Sequence, residues 1–152
     1  MSMQKRTFLF VLLALLVWSL LASLTTGYYY YLYGDLLQKT QKPIIHVNIG
    51  VNYGNGTVKW FNQTVARAGD TLLDVTGLEV SLNYTVWPGS GAFLISLDNV
   101  SNSYPYYWMW WTWTPFGWVQ GQAAMDRFIV GDGETYYWYY EDTSIWPLPT
   151  PP

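Results

Sequence analysis

From Thr7 to Gly34 the chain carries no charge, and residues 8–24 are apolar apart from Ser19 and Ser23. About 20 such residues in a helix cross the hydrocarbon layer of a bilayer, so the pattern predicts one N-terminal transmembrane helix. Lys5 and Arg6 precede it, which predicts a cytoplasmic N-terminus and an extracytoplasmic remainder. Tyr28, Tyr29, Tyr30, Tyr31 and Tyr33 follow at once, rings suited to the boundary between lipid and water. A cleaved secretory signal has similar charges around a shorter apolar core. The folded part is thus expected outside the cell, either held by a retained signal-anchor or secreted after cleavage. Residues 34–42 have no strong period and read as a short stalk.

Beyond the stalk the period changes to two. Ile45, Val47, Ile49, Val51 and Tyr53 alternate with His46, Asn48, Gly50 and Asn52, as in a half-buried strand with His46 on its polar side. Gly54-Asn55-Gly56 marks a turn and residues 57–61 the returning strand of a hairpin, which residues 64–66 extend past a bend. At residues 69–75 the pattern is helical: Asp70 or Thr71 can cap, Asp74 stands three residues after Thr71, and Leu72, Leu73 and Val75 form an apolar side. Gly77 is expected to end that helix. Further strands are predicted over 80–86, 93–97, 106–113 and 134–140, with turns at Asp98-Asn99 and Gly131-Asp132-Gly133. The Pro-rich tail, residues 143–152, cannot join a ladder over 146–152 and should be extended. A hairpin, a short helix and more strands predict an α+β fold with the helix across one face of a sheet.

The strand ending in Tyr53-Gly54-Asn55-Gly56, the helix start Gly69-Asp70-Thr71-Leu72-Leu73-Asp74-Val75 and the strand from Gly91 through Asp98-Asn99-Val100 are three elements of a larger pattern. With Trp108-Met109 and the closing Gly131-Asp132, Trp138 and Tyr140, their order and spacing resemble the transcobalamin-like C-terminal domain family, a group largely of unknown function. The resemblance covers roughly residues 44–140 and implies a ubiquitin-like β-grasp, a mixed sheet with one short helix. The domains are then residues 1–27, a cytoplasmic stub and membrane span; 28–43, an aromatic belt and stalk; 44–142, the β-grasp-like extracytoplasmic domain; and 143–152, the tail. The family usually follows Trp-Met with a short strand and an Asn-Gly turn; here residues 110–117, Trp-Trp-Thr-Trp-Thr-Pro-Phe-Gly, stand in that place. In the vitamin carriers of the family this domain helps close over cobalamin, but none of the matched residues marks a corrin site.

Composition narrows the chemistry. The net charge is −3, and beyond Lys5 and Arg6 five bases face ten acids, so phosphate neutralisation of a nucleic acid is not expected. Without cysteine there are no disulfides, thiolate metal sites or cysteine nucleophiles. His46 stands alone as a potential metal ligand and reads as a solvated side chain. Asp126, Asp132 and Glu134 have the oxygen chemistry of a calcium site, yet Gly131-Asp132-Gly133 reads as a turn, so no metal and no cofactor are expected. Asp70 and Asp74 have the look of a catalytic carboxylate pair but fit better as acids at a helix start. No residue stands in a recognised nucleophile motif, and no enzymatic activity is expected. Asn55, Asn62, Asn83 and Asn99, four of seven asparagines, lie in Asn-x-Ser/Thr sequons, more than chance supplies, which suggests a glycosylated surface.

The informative excess is aromatic: 15 of the 37 residues from Tyr104 to Tyr140 are Phe, Trp or Tyr. Alternation puts Trp108 and Trp110 on one face and Met109, Trp111 and Trp113 on the other, with Tyr136, Trp138 and Tyr140 opposed to Tyr137 and Tyr139. One short helix covers one face, so the rings of the second must meet a partner, a sugar, lipid or the chain's own tail. Trp108, Trp110, Trp111, Trp113, Trp118, Tyr136, Trp138 and Tyr140 are therefore the candidate binding residues. Three functions fit: a membrane-anchored module docking a protein of the cell envelope or of a membrane complex, a module binding a glycan or a small cobalamin-like ligand, or a subunit of an extracellular polymer.

Overall fold

The computed structural model describes the backbone of residues 3–152 and the side chains of residues 8–37 and 41–152. Lys5 and Arg6, on which the expected membrane orientation rests, lie outside the described side chains. The chain divides between Gln41 and Lys42 into two compact units. The first is one helix, α1 (Met3–Thr40), whose stretch Phe8–Leu37 is long and apolar enough to cross a membrane. The segment read as a stalk is helical up to Thr40, and Pro43 disfavours helix in the residue before it.

The second unit holds eight strands and a helix: β1 (Ile44–Asn52), β2 (Val58–Arg67), α2 (Leu72–Glu79), β3 (Leu82–Trp87), β4 (Gly91–Leu97), β5 (Val100–Ser101), β6 (Tyr106–Thr114), β7 (Gly117–Gln120) and β8 (Thr135–Asp142). The β1–β2 hairpin, α2 and β8 lying parallel to β1 form a β-grasp arrangement, in a five-stranded mixed sheet of order β2-β1-β8-β6-β7. The bend expected in β2 is a bulge: the register shifts between Val47 and Ile49, Gln63 takes φ 59°, and Asn48 accepts a bond from its N–H.

The second strand group departs from the single sheet expected. β3, β4 and β5 form their own three-stranded sheet, closed between β4 and β5 by Asp98 and Asn99, both at positive φ as a tight two-residue hairpin turn requires. This sheet does not zip onto β6 because Asn102 stands between them. Its side-chain oxygen accepts the Trp108 N–H at 2.9 Å, and its side-chain nitrogen donates to the Leu94 carbonyl at 2.6 Å. A side-chain bridge thus replaces a ladder.

Helix α2 is fixed at both ends. Thr71 and Asp74 make a reciprocal capping box, and the N–H groups of Leu72 and Leu73 donate to the carbonyls of Phe128 and Met125 in the loop before β8. Gly77 does not end the helix; it sits inside it, and the helix stops only where Val80 turns extended. At that end the Thr64 hydroxyl donates to the Glu79 carboxylate. Beneath α2 lies the main core, including Val47, Ile49, Val51, Leu72, Val75, Leu97, Tyr136 and Trp138.

One buried polar pair ties helix to sheet: Trp138 Nε1 donates at 3.0 Å to Thr76 Oγ1, which donates at 2.7 Å to the Leu72 carbonyl. Thr76→Val keeps the volume but removes the acceptor, leaving a buried indole N–H unpaired, and should cost about 1–3 kcal/mol. Chemical denaturation of the full chain in detergent checks this; an unchanged midpoint would show that the pair contributes nothing.

Candidate ligand-binding site

The strands β6 and β8 alternate as their sequences predict, yet both faces of the sheet are largely covered by the chain itself. Of the eight candidate rings, Trp108, Trp110, Trp111, Tyr136 and Trp138 are buried, Trp118 and Tyr140 are half-buried, and Trp113 alone is exposed, at 54%. An open aromatic sheet face is therefore not what the fold presents. Tyr136 packs on Phe128, and its hydroxyl bonds the Glu134 carboxylate; Tyr140 lies against Trp108 and donates to the Ser101 carbonyl. Burial, with the Glu134 bond second, raises the Tyr136 hydroxyl far above its usual range.

The second face is closed by two devices. Gly50 in β1 leaves room for the Tyr137 ring from β8, and that ring meets Trp60 of β2 at 5.3 Å and Trp118 of β7 at 5.1 Å between centroids. The tail then supplies Leu148, buried with Trp111 and Tyr137. Glu141 is also buried on β8. Its Oε1 accepts from Trp111 Nε1 at 3.0 Å, while Oε2 has no partner among the described residues. Burial pushes this carboxyl up to about 7, against the opposing pull of the Trp111 bond.

What remains open is the seam between the two sheets, where Asn102 takes the place of a ladder. A groove of about 290 Å³ runs there between β4, β6 and the 121–125 loop. Trp87 and Phe93 stand at it with 60% and 49% exposure, and Met109, Met125 and parts of Trp108, Trp110 and Trp138 line its wall. A second hollow of about 300 Å³ shares Phe93 and Met109 and is bordered by Tyr107, Trp146 and Leu148 of the tail. Three predicted rings thus meet in one groove, while Trp111, Trp113, Trp118, Tyr136 and Tyr140 lie elsewhere. Trp87 and Phe93 were missed as site residues; the signal was an aromatic on each side of the Pro88-Gly89-Ser90-Gly91 turn.

That turn is held tightly. Asp126 Oδ1 accepts the Ala92 N–H at 2.8 Å, Arg127 donates to the Gly89 carbonyl at 2.9 Å, and a side chain at Gly91, φ 98°, would strike Ala124 and Asp126. Gly121 is equally constrained, since a Cβ there would lie 1.9 Å from the Trp110 indole. The groove is thus a largely preformed apolar slot with aromatic walls, suited to a flat or ring-shaped ligand.

The polar candidates go separate ways. Asp126 holds the turn, Asp132 accepts the His46 N–H, and Glu134 bonds Tyr136, so the three acids do not converge. Among the described residues no group of three or more His, Asp or Glu side chains is placed to hold a metal ion. Asp70 accepts from the Arg67 N–H, and Asp74 belongs to the capping box. Asn55, Asn62, Asn83 and Asn99 are all exposed. Beside Asn99, Asp98 receives Tyr53 Oη at 2.6 Å, Lys59 Nζ at 2.8 Å and the Ser81 N–H at 3.2 Å. Partial burial pushes the Asp98 carboxyl up, but these donors outweigh it and hold it below the usual range.

No protein-family model matches the chain, and no curated protein matches it in sequence. Among solved structures, haptocorrin in complex with Cbi superposes with a TM-score of 0.51 at 14% identity, over 65% of this chain and 26% of haptocorrin. The chain thus spans about a quarter of that protein's length, and the likeness is one of fold. A Ruminococcus gnavus protein, described as a candidate metal binder, aligns with a TM-score of 0.49 at 19% identity, over 64% of this chain and 97% of its own.

Proposed function

We propose that the protein is a membrane-tethered, extracytoplasmic, non-catalytic module that binds a flat, largely apolar ligand in the seam between its two sheets. The observation that carries this reading is the groove of about 290 Å³ at Trp87, Phe93 and Trp110, where exposed and buried aromatic rings meet in the seam between the two sheets. The fold likeness to haptocorrin, solved with Cbi, favours a small ligand over the docking of a large protein on an open sheet. The 30-residue apolar helix supports the tether, retained as a signal-anchor.

Titration of the full chain with cobinamide and a panel of envelope saccharides, followed by tryptophan emission, tests it. Saturable quenching is expected for at least one, and Phe93→Ala should weaken it roughly tenfold, the effect of losing one stacked ring. Phe93 is half exposed, so the variant keeps its fold. No response to any of these probes would remove the reading.

Docking of an envelope protein stays as a second reading because of one feature: Val86, Trp87, Phe93 and Ile95 leave the β3–β4 hairpin apolar and exposed. Co-purification of a defined partner in mild detergent, lost in Val86→Asp, would favour it.

A further inference from the structure

The β6–β7 hairpin was not expected from the sequence, and its tip is unusual. Thr114 and Gly117 pair across a two-residue turn of Pro115 and Phe116, and Phe116 is 100% exposed. Trp113, at 54%, and Val119, at 46%, flank it, and Trp118 packs edge-on against Trp113 at 5.1 Å. Residues 99–125 contain no charge at all. The Thr114 hydroxyl donates to the Gly117 carbonyl and accepts the Phe116 N–H, so the turn holds its ring outward on a braced loop. Fully solvated Phe beside half-solvated Trp is unfavourable in water and gives the fold itself nothing.

Register places this tip at one particular end of the sheet. Ile49 is level with Tyr136, and Tyr136 with Thr112; β6 runs opposite to β1, so residues 114–116 advance toward the end at which β1 begins. That is the end joined to the apolar helix, through residues 41–43. Two or three strand spacings, roughly 10–15 Å, separate β1 from the hairpin across the sheet. The β1–β2 turn with Asn55 lies at the opposite end.

We propose that the Pro115–Phe116 tip, with Trp113, inserts into the interfacial layer of the lipid bilayer, giving the domain a second, reversible contact with the membrane. The proposal rests on the retained anchor of the preceding reading. The uncharged tip fits a zwitterionic surface, where aromatic rings settle among headgroups without requiring anionic lipid. A tether raises the local concentration of the whole domain at the surface, so that a contact too weak for a free domain is populated.

The chain has no cysteine, so single thiols can be placed at will. Pro115→Cys, Asn55→Cys and Trp18→Cys, each carrying an environment-sensitive fluorophore, are reconstituted as full chains in phosphatidylcholine vesicles with nitroxide-bearing lipid. The label at 115 should be quenched and blue-shifted, the label at 55 unaffected, and the label at 18 quenched as the mark of the anchor. Phe116→Asp added to Pro115→Cys should abolish quenching at 115; its ring touches solvent only, so the fold survives. Quenching at 18 with none at 115, or quenching at 115 that survives Phe116→Asp, overturns the wedge and leaves the anchor standing. No quenching at 18 removes the anchor, and the wedge with it.

Discussion

Glu141→Gln should raise the melting temperature of the full chain by on the order of 10 °C at about pH 8 and change it little at about pH 4. The reason is a carboxyl buried on β8 that, among the described residues, is bonded through one oxygen by Trp111 and has its second oxygen unpartnered. Burial raises its folded value from 4.5 to about 7. Below 4.5 the folded and unfolded chains are both protonated, and the group brings no ionisation penalty to the fold. Between the two values the unfolded chain releases its proton first, so stability falls as pH rises, and above about 7 the whole loss persists. At about 1.4 kcal/mol per pKa unit the ceiling is about 3.5 kcal/mol. Glutamine keeps the shape and the acceptor for the Trp111 N–H but has no proton to lose. Thermal unfolding in detergent across this pH range is the measurement; a difference between the two proteins that does not vary with pH would show that Glu141 is never driven neutral.

The elements visible in the sequence are those whose hydrogen bonds close over a few residues. Thr71 and Asp74 lie three apart and cap α2 whatever surrounds them, and the Gly54-Asn55-Gly56 turn brings its two positive φ angles with its glycines. Alternation along β6 and β8 was legible for the same reason, since a strand's faces follow from its own period. What covers those faces was not. Leu148 reaches Trp111 from 37 positions away, and nothing in the local pattern says that a proline-rich end will fold back over a tryptophan. The division into two sheets depends on one asparagine, Asn102, bonding both Leu94 and Trp108. The groove inherits that division: its walls come from β4, β6 and the 121–125 loop, so the rings most visible in composition are mostly core, and Trp87 and Phe93 become candidate site residues only through the seam. Gly77 misled because glycine often ends helices, whereas here it has an open flank and no left-handed φ, and the helix continues.

Two glycine-to-alanine substitutions should therefore have opposite signs. At Gly50 a Cβ would stand 2.2 Å from Tyr137 Cδ2, 2.6 Å from its Cε2 and 2.9 Å from Trp60 Cη2. The backbone there is ordinary strand, so the conflict is purely steric, and Tyr137 cannot yield freely because Trp118 and the buried Leu148 lie against it. Gly50→Ala is expected to cost about 3 kcal/mol, the upper part of the range for overpacking, and to loosen the tail along with the ring. At Gly77 the nearest atom is Leu82 Cδ1 at 3.7 Å, an ordinary contact, so Gly77→Ala should stabilise α2 by about 0.5–1 kcal/mol. Denaturation midpoints measure both, and limited proteolysis near residue 148 reports whether the tail is released in Gly50→Ala. Adding Tyr137→Ala to Gly50→Ala vacates the contested space, so the double variant should lose less than the sum of the two single losses. Simple additivity would mean that the two residues do not compete and that the second face is closed by the tail alone.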